Sequence, residues 1–207
     1  LYTVIFALLF QWGVAIQELR LGLLFNGKKT MEEFKVEFEP TKHKMIRQLV
    51  KDYVFFPLIA GPMAAPVFAG NFVANGIRNV WTFSIIFCGH FTQDAEIFPK
   101  SVLTEESRGH WYMRQIRGSS NLTGGKLFNI MSGNLSHQIE HHLFPDVPAW
   151  RYEGLSVSVK DICQRYGQHY NEGSFASQLS QVGWRILRHA FPSKVKRPAL
   201  VNQAIAA

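Results

Sequence analysis

Apolar positions gather into two long runs and then thin out. From Leu1 to about Gln17 the chain is apolar for roughly 16 residues, slightly short of the ~20 that a helix needs to span a bilayer. The stretch LYTVIFALLFQWGVAI opens in mid-run with no initiator Met. No basic stretch precedes it and no small-residue cleavage site follows, so it reads as the tail of a longer helix and not as a signal peptide. The second run, Tyr53 to Phe91, is broken only by Gly61, Pro62, Pro66, Gly70, Asn71, Asn75, Arg78 and Asn79. Its length predicts two spans, 53–72 and 73–91, joined by a tight turn near Gly70 to Gly76. Arg78 then falls at the tip, at headgroup level. The alternative reading of the same run is a buried helical hairpin.

Charge orients these segments. Residues 17–52 hold Arg20, Lys28, Lys29, Lys35, Lys42, Lys44, Arg47 and Lys51, against Arg78 alone at the hairpin tip. The excess of cationic residues places 17–52 on the cytoplasmic side. A two-span hairpin returns the chain to that side, so residues 92–207 are expected to form a cytoplasmic helical cap. The predicted fold class is all-α, with integral membrane helices (the end of one span plus a two-span hairpin) beneath that cap.

Within the cap, Gly124 and Gly125 mark a turn, and a helix is predicted from about Lys126 onward through Leu127, Ile130 and Met131. Pro145 and Pro148 stop it. A second helix, roughly Trp150 to Tyr166, carries Leu155, Val159, Ile162, Cys163 and Tyr166 at helical spacing and ends at Gly167. A weaker helix covers Phe175 to Ala190, and the tail from Phe191 is expected to fray.

Composition changes this picture little. A net charge of +7 over 207 residues can mean nucleic acid, but the basic residues flank the apolar runs, which favours a membrane surface and no nucleic-acid partner. Cys88 and Cys163 are far apart, match no zinc spacing and read as free thiols.

The candidate chemistry lies in HQIEHHLFP, His137 to Pro145. Gln138, His141 and His142 stand at relative positions 0, +3 and +4, which on a helix brings them to one face. His137 precedes them and lies four residues before His141. His90 ends the last apolar run, in FCGHF, and Asp94 and Glu96 follow as possible metal ligands or as carboxylates that orient imidazoles. A His-rich site without Cys suits non-haem iron, zinc or copper. The zinc-hydrolase string HExxH is absent, and Glu140 faces away from its neighbour His141. Trp111, Arg114 and Arg117 lie in a basic aromatic stretch that is either an interfacial helix or a contact for an anionic headgroup or thioester carrier.

QIEHHLFP resembles the third histidine box of membrane fatty acid desaturases, in the variant where Gln replaces the first His. The segments SSN (Ser119 to Asn121), WYMRQIR and GHFTQDAEIFP are similar to those that accompany this box. The resemblance implies a four-span helical fold with a cytoplasmic cap around two irons. These activate O2, remove two hydrogens from an acyl chain and leave a cis double bond, with electrons from a cytochrome b5, ferredoxin or flavin reductase. It implies iron ligation by His141 and His142, with Gln138 in the place of the first His of the box and His90 in that of the ligand after the last span. His137 is a neighbour. The family's two earlier boxes, HxxxH and HxxHH, do not occur here, and no histidine precedes His43. The chain therefore reads as the C-terminal portion of such an enzyme, inactive alone. A related diiron hydroxylase and a non-catalytic membrane interaction protein are the alternatives.

Overall fold

A computed structural model describes residues 2–99, 101–102 and 106–191. The chain divides into two compact units, 1–85 and 86–207. The fraying expected of the tail falls on residues 192–207, outside the described residues.

The first unit opens with three short helices, α1 (Tyr2–Leu8), α2 (Phe10–Glu18) and α3 (Leu21–Phe25). Next comes α4 (Met31–Val50), started by a reciprocal cap in which Thr30 Oγ1 accepts from the Glu33 N–H and Glu33 Oε2 accepts from the Thr30 N–H. A π-helical turn (Lys51–Phe55), α5 (Phe56–Ile59) and a 3-10 turn (Gly61–Met63) lead into α6 (Ala64–His90). The rings of Phe6, Phe10 and Phe83 meet edge to face, with centroids 5.5–6.1 Å apart.

The expected membrane architecture is not found. Among the described residues no helix is long and apolar enough to cross a membrane. The run taken for one span at Leu1 to Gln17 is broken into α1 and α2, of 7 and 9 residues. The predicted hairpin turn is absent, because Gly70 and Gly76 both lie inside the continuous helix α6. That helix has 27 residues, but its polar positions interrupt the apolar stretch, and they have partners inside the first unit. Asn71 Nδ2 donates to the Asp52 carbonyl (2.6 Å), Asn75 Nδ2 to Asp52 Oδ2 (3.0 Å) and Asn79 Nδ2 to the Leu8 carbonyl (2.8 Å). Arg78, expected at headgroup level, pairs with Gln11. The integral-membrane location, with the histidine cluster on the cytoplasmic side, is corrected by the same finding.

The second unit contains the end of α6, then α7 (Arg108–Arg117), β1 (Asn121–Thr123), α8 (Lys126–Met131), α9 (Gln138–Leu143), α10 (Tyr152–Arg165), β2 (Glu172–Ser174) and α11 (Phe175–Ala190). It is not purely helical: β1 and β2 pair in parallel, Asn121 opposite Glu172 and Thr123 opposite Ser174. The single helix expected from Lys126 into the histidine cluster is split. Gly133 and Asn134 adopt left-handed φ values of 64° and 60°, which end α8 and redirect the chain before α9. The α10 and α11 helices lie where periodicity places them. Gly167, at φ 62°, closes α10, with the Gln168 N–H donating to the Cys163 carbonyl at 2.8 Å. Only part of the expected α10 face is covered: Val159 and Cys163 are buried, while Ile162 and Tyr166 are exposed. The core joins α7, α9 and α10 through Ile116, Ile139, Leu143, Val159 and Cys163, with Tyr112, Met113, Phe144 and Tyr170 packed around it.

Candidate metal-facing site

The six residues of α9 divide by direction. Ile139 and Leu143, four apart, are buried in the core. Gln138 and His142, also four apart, share another face. They meet His90, the last residue of α6, so that three nitrogens form a triangle. Gln138 Nε2 is 3.1 Å from His90 Nε2 and 3.2 Å from His142 Nε2, and the two imidazole nitrogens are 3.3 Å apart.

Local structure holds the His90 and Gln138 corners. The Ser120 N–H donates to the Gly89 carbonyl (2.9 Å), tying the end of α6 to the segment before β1. The His90 ring also hydrogen-bonds the Gly118 backbone, the kind of second contact that fixes an imidazole's tautomer and orientation. Gly89 makes room for Gln138: a Cβ at position 89 would lie 2.9 Å from Gln138 Cγ. Just beyond α6, the Arg185 guanidinium donates to the Thr92 carbonyl (2.9 Å), anchoring the segment that leaves His90 to α11.

Both imidazoles of the triangle are biased toward the neutral form. Burial lowers the pKa of His90, against the opposing effect of the Gly118 bond. Burial, followed by the nearby rings of His90 and His141, lowers that of His142 to about 4. A neutral imidazole has a free lone pair, which is the form that binds metals. Gln138 is buried, and its Oε1 has no hydrogen-bond partner among the described residues. Rotating the amide by half a turn would exchange its nitrogen and oxygen with little change of shape. Two donors about 2.1 Å from one ion and about 90–109° apart lie roughly 3.0–3.4 Å from each other. The triangle has that spacing. Among the described residues, however, no group of three or more His, Cys, Asp or Glu side chains is gathered for a metal; this cluster is two imidazoles and an amide.

The remaining candidates lie off the triangle. His141 is adjacent, its ring centroid 5.5 Å from that of His142, but its Nδ1 is 3.3 Å from the Tyr152 hydroxyl. His137 directly precedes α9 without a side-chain cap hydrogen bond, and its Nε2 is buried without a partner among the described residues. Burial lowers its pKa, opposed by Glu140 and Glu153. Asp94 and Glu96 are exposed. Arg114 is held by Glu106 through two bonds of 2.7 and 2.8 Å, and Arg117 donates to Gln168 at 3.0 Å. Trp111 stacks edge to face on Tyr112, with centroids 5.0 Å apart. Both guanidiniums thus have partners within the second unit.

One buried neighbour escapes the spacing argument. Glu140 is fully buried, and its carboxylate accepts from the Tyr170 hydroxyl at 2.9 Å and from Asn121 Nδ2 at 2.8 Å. The adjacent Ile139 N–H donates to Asn121 Oδ1 at 2.9 Å. No periodicity rule pairs Glu140 with residues 19 and 30 positions away.

The chain is similar to curated desaturases. It is 43% identical over 201 residues to the NADPH-dependent stearoyl-CoA 9-desaturase of Mycobacterium tuberculosis, which covers 95% of this chain and 47% of that protein. To the sn-1 linoleoyl-lipid 6-desaturase of Synechocystis it is 30% identical over 127 residues, 60% of this chain and 35% of that protein. To human fatty acid desaturase 3 it is 33% identical over 84 residues, 41% of this chain and 19% of that protein. The chain thus spans about half the length, or less, of the curated relatives it matches. No solved structure matches it. The fatty acid desaturase family model matches residues 2–174, and with 43% identity across nearly the whole chain to one relative, this protein belongs to the fatty acid desaturase family.

Proposed function

We propose that this chain is the metal-facing part of an O2-dependent acyl desaturase that introduces a cis double bond into a long-chain acyl substrate. The observation that carries the reading is the triangle of His90, Gln138 and His142, with edges of 3.1–3.3 Å. Family membership supports the reaction class, and the name of the 43%-identical relative favours an acyl-CoA over an acyl-lipid substrate. Electrons come from a donor protein: a flavin reductase, a ferredoxin or a cytochrome b5.

In this reading His90, His142 and the Gln138 amide oxygen face iron, and His141 stands beside them as a further donor. Iron, when bound, supplies the oxygen activation that no protein side chain provides. The chain's own residues hold the donors in place and keep them unprotonated. Burial of His90 and His142 means that at neutral pH no proton has to be displaced for binding. The orphaned Gln138 Oε1 gains a partner when the amide turns toward a cation. Four candidate donors leave most positions of two six-coordinate irons unfilled, so residues 1–207 alone are expected to hold fewer than two irons and to form no double bond.

The test is a chimera in which this chain replaces the matching half of the Mycobacterium tuberculosis relative. The reading expects new unsaturation in a stearoyl substrate, and its loss when either His90 or His142 becomes Ala. Full activity in both single variants would overturn it.

A further inference from the structure

Three donors can converge only if α9 is held at one rotation about its axis. With six residues, α9 is too short to be stable by itself. Its core contacts, Ile139 and Leu143, fix the buried face through apolar burial, which is non-directional. The sharper constraint is on the far side from the donors. At about 100° per residue, Glu140 lies roughly 200° from both Gln138 and His142, nearly opposite them.

There the helix is clamped by β1 and the segment before β2. Asn121 is buried, and its own N–H donates to the Asn171 carbonyl at 2.9 Å. Its side-chain oxygen takes the Ile139 N–H, one of the free amides at the N-terminus of α9. Its side-chain nitrogen donates to Glu140 Oε2 and reaches the Tyr170 hydroxyl at 2.6 Å, while that hydroxyl donates to Glu140 Oε1. Both carboxylate oxygens and one helix amide are thus fixed to a single strand residue and its neighbour. A carboxylate with no exposure tolerates little departure from such bonds.

We infer that Asn121 and Glu140, with Tyr170, are positioning residues that set the rotation of α9 and thereby the spacing of Gln138 and His142 from His90. The inference rests on the reading of that triangle as a metal face. Asn121 and Glu140 touch no donor atom of the triangle; they act through the helix.

The test uses the full 1–207 chain and Co(II), followed by its visible absorption bands. Asn121→Ala and Asn121→Asp, the latter setting a second carboxylate against Glu140, should each weaken Co(II) binding by roughly tenfold or more, the range seen when groups behind a ligand are removed. Combining Asn121→Asp with Glu140→Gln keeps an acceptor for the Ile139 N–H and restores the bond between positions 121 and 140 with its direction and charge exchanged, leaving the Tyr170 hydroxyl to donate to one of the two, and should recover affinity to within about threefold. Val182→Ala, a buried truncation in α11 at a residue that makes none of the clamp's hydrogen bonds, controls for general loosening and should leave Co(II) affinity nearly unchanged. In the metal-free chain the Ile139 amide should lose hydrogen-exchange protection in Asn121→Ala.

Wild-type affinity in Asn121→Ala would overturn the inference while leaving the metal reading intact. So would an equal loss in Val182→Ala. If Asn121→Ala does not fold, the exchanged pair decides: a folded pair that binds Co(II) tenfold more weakly than the unaltered chain overturns it. An unaltered chain that shows no Co(II) bands at all would contradict the metal reading, and the inference with it.

Discussion

Gln138 Nε2 lies 3.1 Å from His90 Nε2, across 48 residues of sequence. The contact joins the first residue of a six-residue helix to the last residue of a 27-residue one. Each partner is at a helix end, where the backbone direction is set by neighbours: Gly118 and Ser120 beside His90, and the left-handed turn at Gly133 and Asn134 ahead of Gln138.

That contact depends on a missing side chain. Gly89→Ala would set a Cβ 2.9 Å from Gln138 Cγ, in a place where the glutamine is buried. Overpacking of this kind costs about 1–3 kcal/mol. Urea unfolding of Gly89→Ala should show a loss in that range. Stability equal to the parent chain would mean that Gln138 is free to move aside.

Removing the Glu140 carboxylate leaves the Tyr170 hydroxyl without its acceptor and takes from Asn121 Nδ2 one of its two, the Tyr170 oxygen remaining. A buried group left without its partner costs about 1–3 kcal/mol, so Glu140→Ala should be among the more destabilising single changes in the second unit. Tyr170→Phe removes one donor and should cost less. An order of effects with Tyr170→Phe the larger would contradict the arrangement described.

Cys88 and Cys163 are free and buried, and burial raises both thiols, Cys88 to about 12. The thiolate is the reactive form. A thiol reagent at pH 8 should therefore modify neither in the folded chain and both after denaturation. Rapid labelling of Cys88 under native conditions would show that the end of α6 is open.

The sequence carried the site further than it carried the fold. His90, Gln138, His141 and His142 stand out by residue type and spacing, and three of these four come together. His141 stands beside the triangle and not in it: α9 has barely more than one and a half turns, and the His141 Nδ1 lies 3.3 Å from the Tyr152 hydroxyl. Glu140 faces away from the donors, as its position implies, but its role depends on Asn121 and Tyr170, which are brought to it by strand pairing that no local pattern announces. The membrane reading failed for a related reason. Hydropathy treats Asn71, Asn75 and Asn79 as interruptions of an apolar run, whereas each is matched to Asp52 or Leu8 inside the first unit. The split between α8 and α9 was written in Gly133 and Asn134, a turn signal overshadowed by the apolar spacing of Leu127, Ile130 and Met131.

The central claim is that His90 and His142 bind one metal ion together. X-ray absorption at the iron edge of the Fe(II)-loaded chain counts imidazole neighbours directly. The account predicts at least two imidazoles at about 2.1 Å, fewer than two irons per chain, and one imidazole less in His90→Ala and in His142→Ala. An imidazole count unchanged in both variants would contradict it.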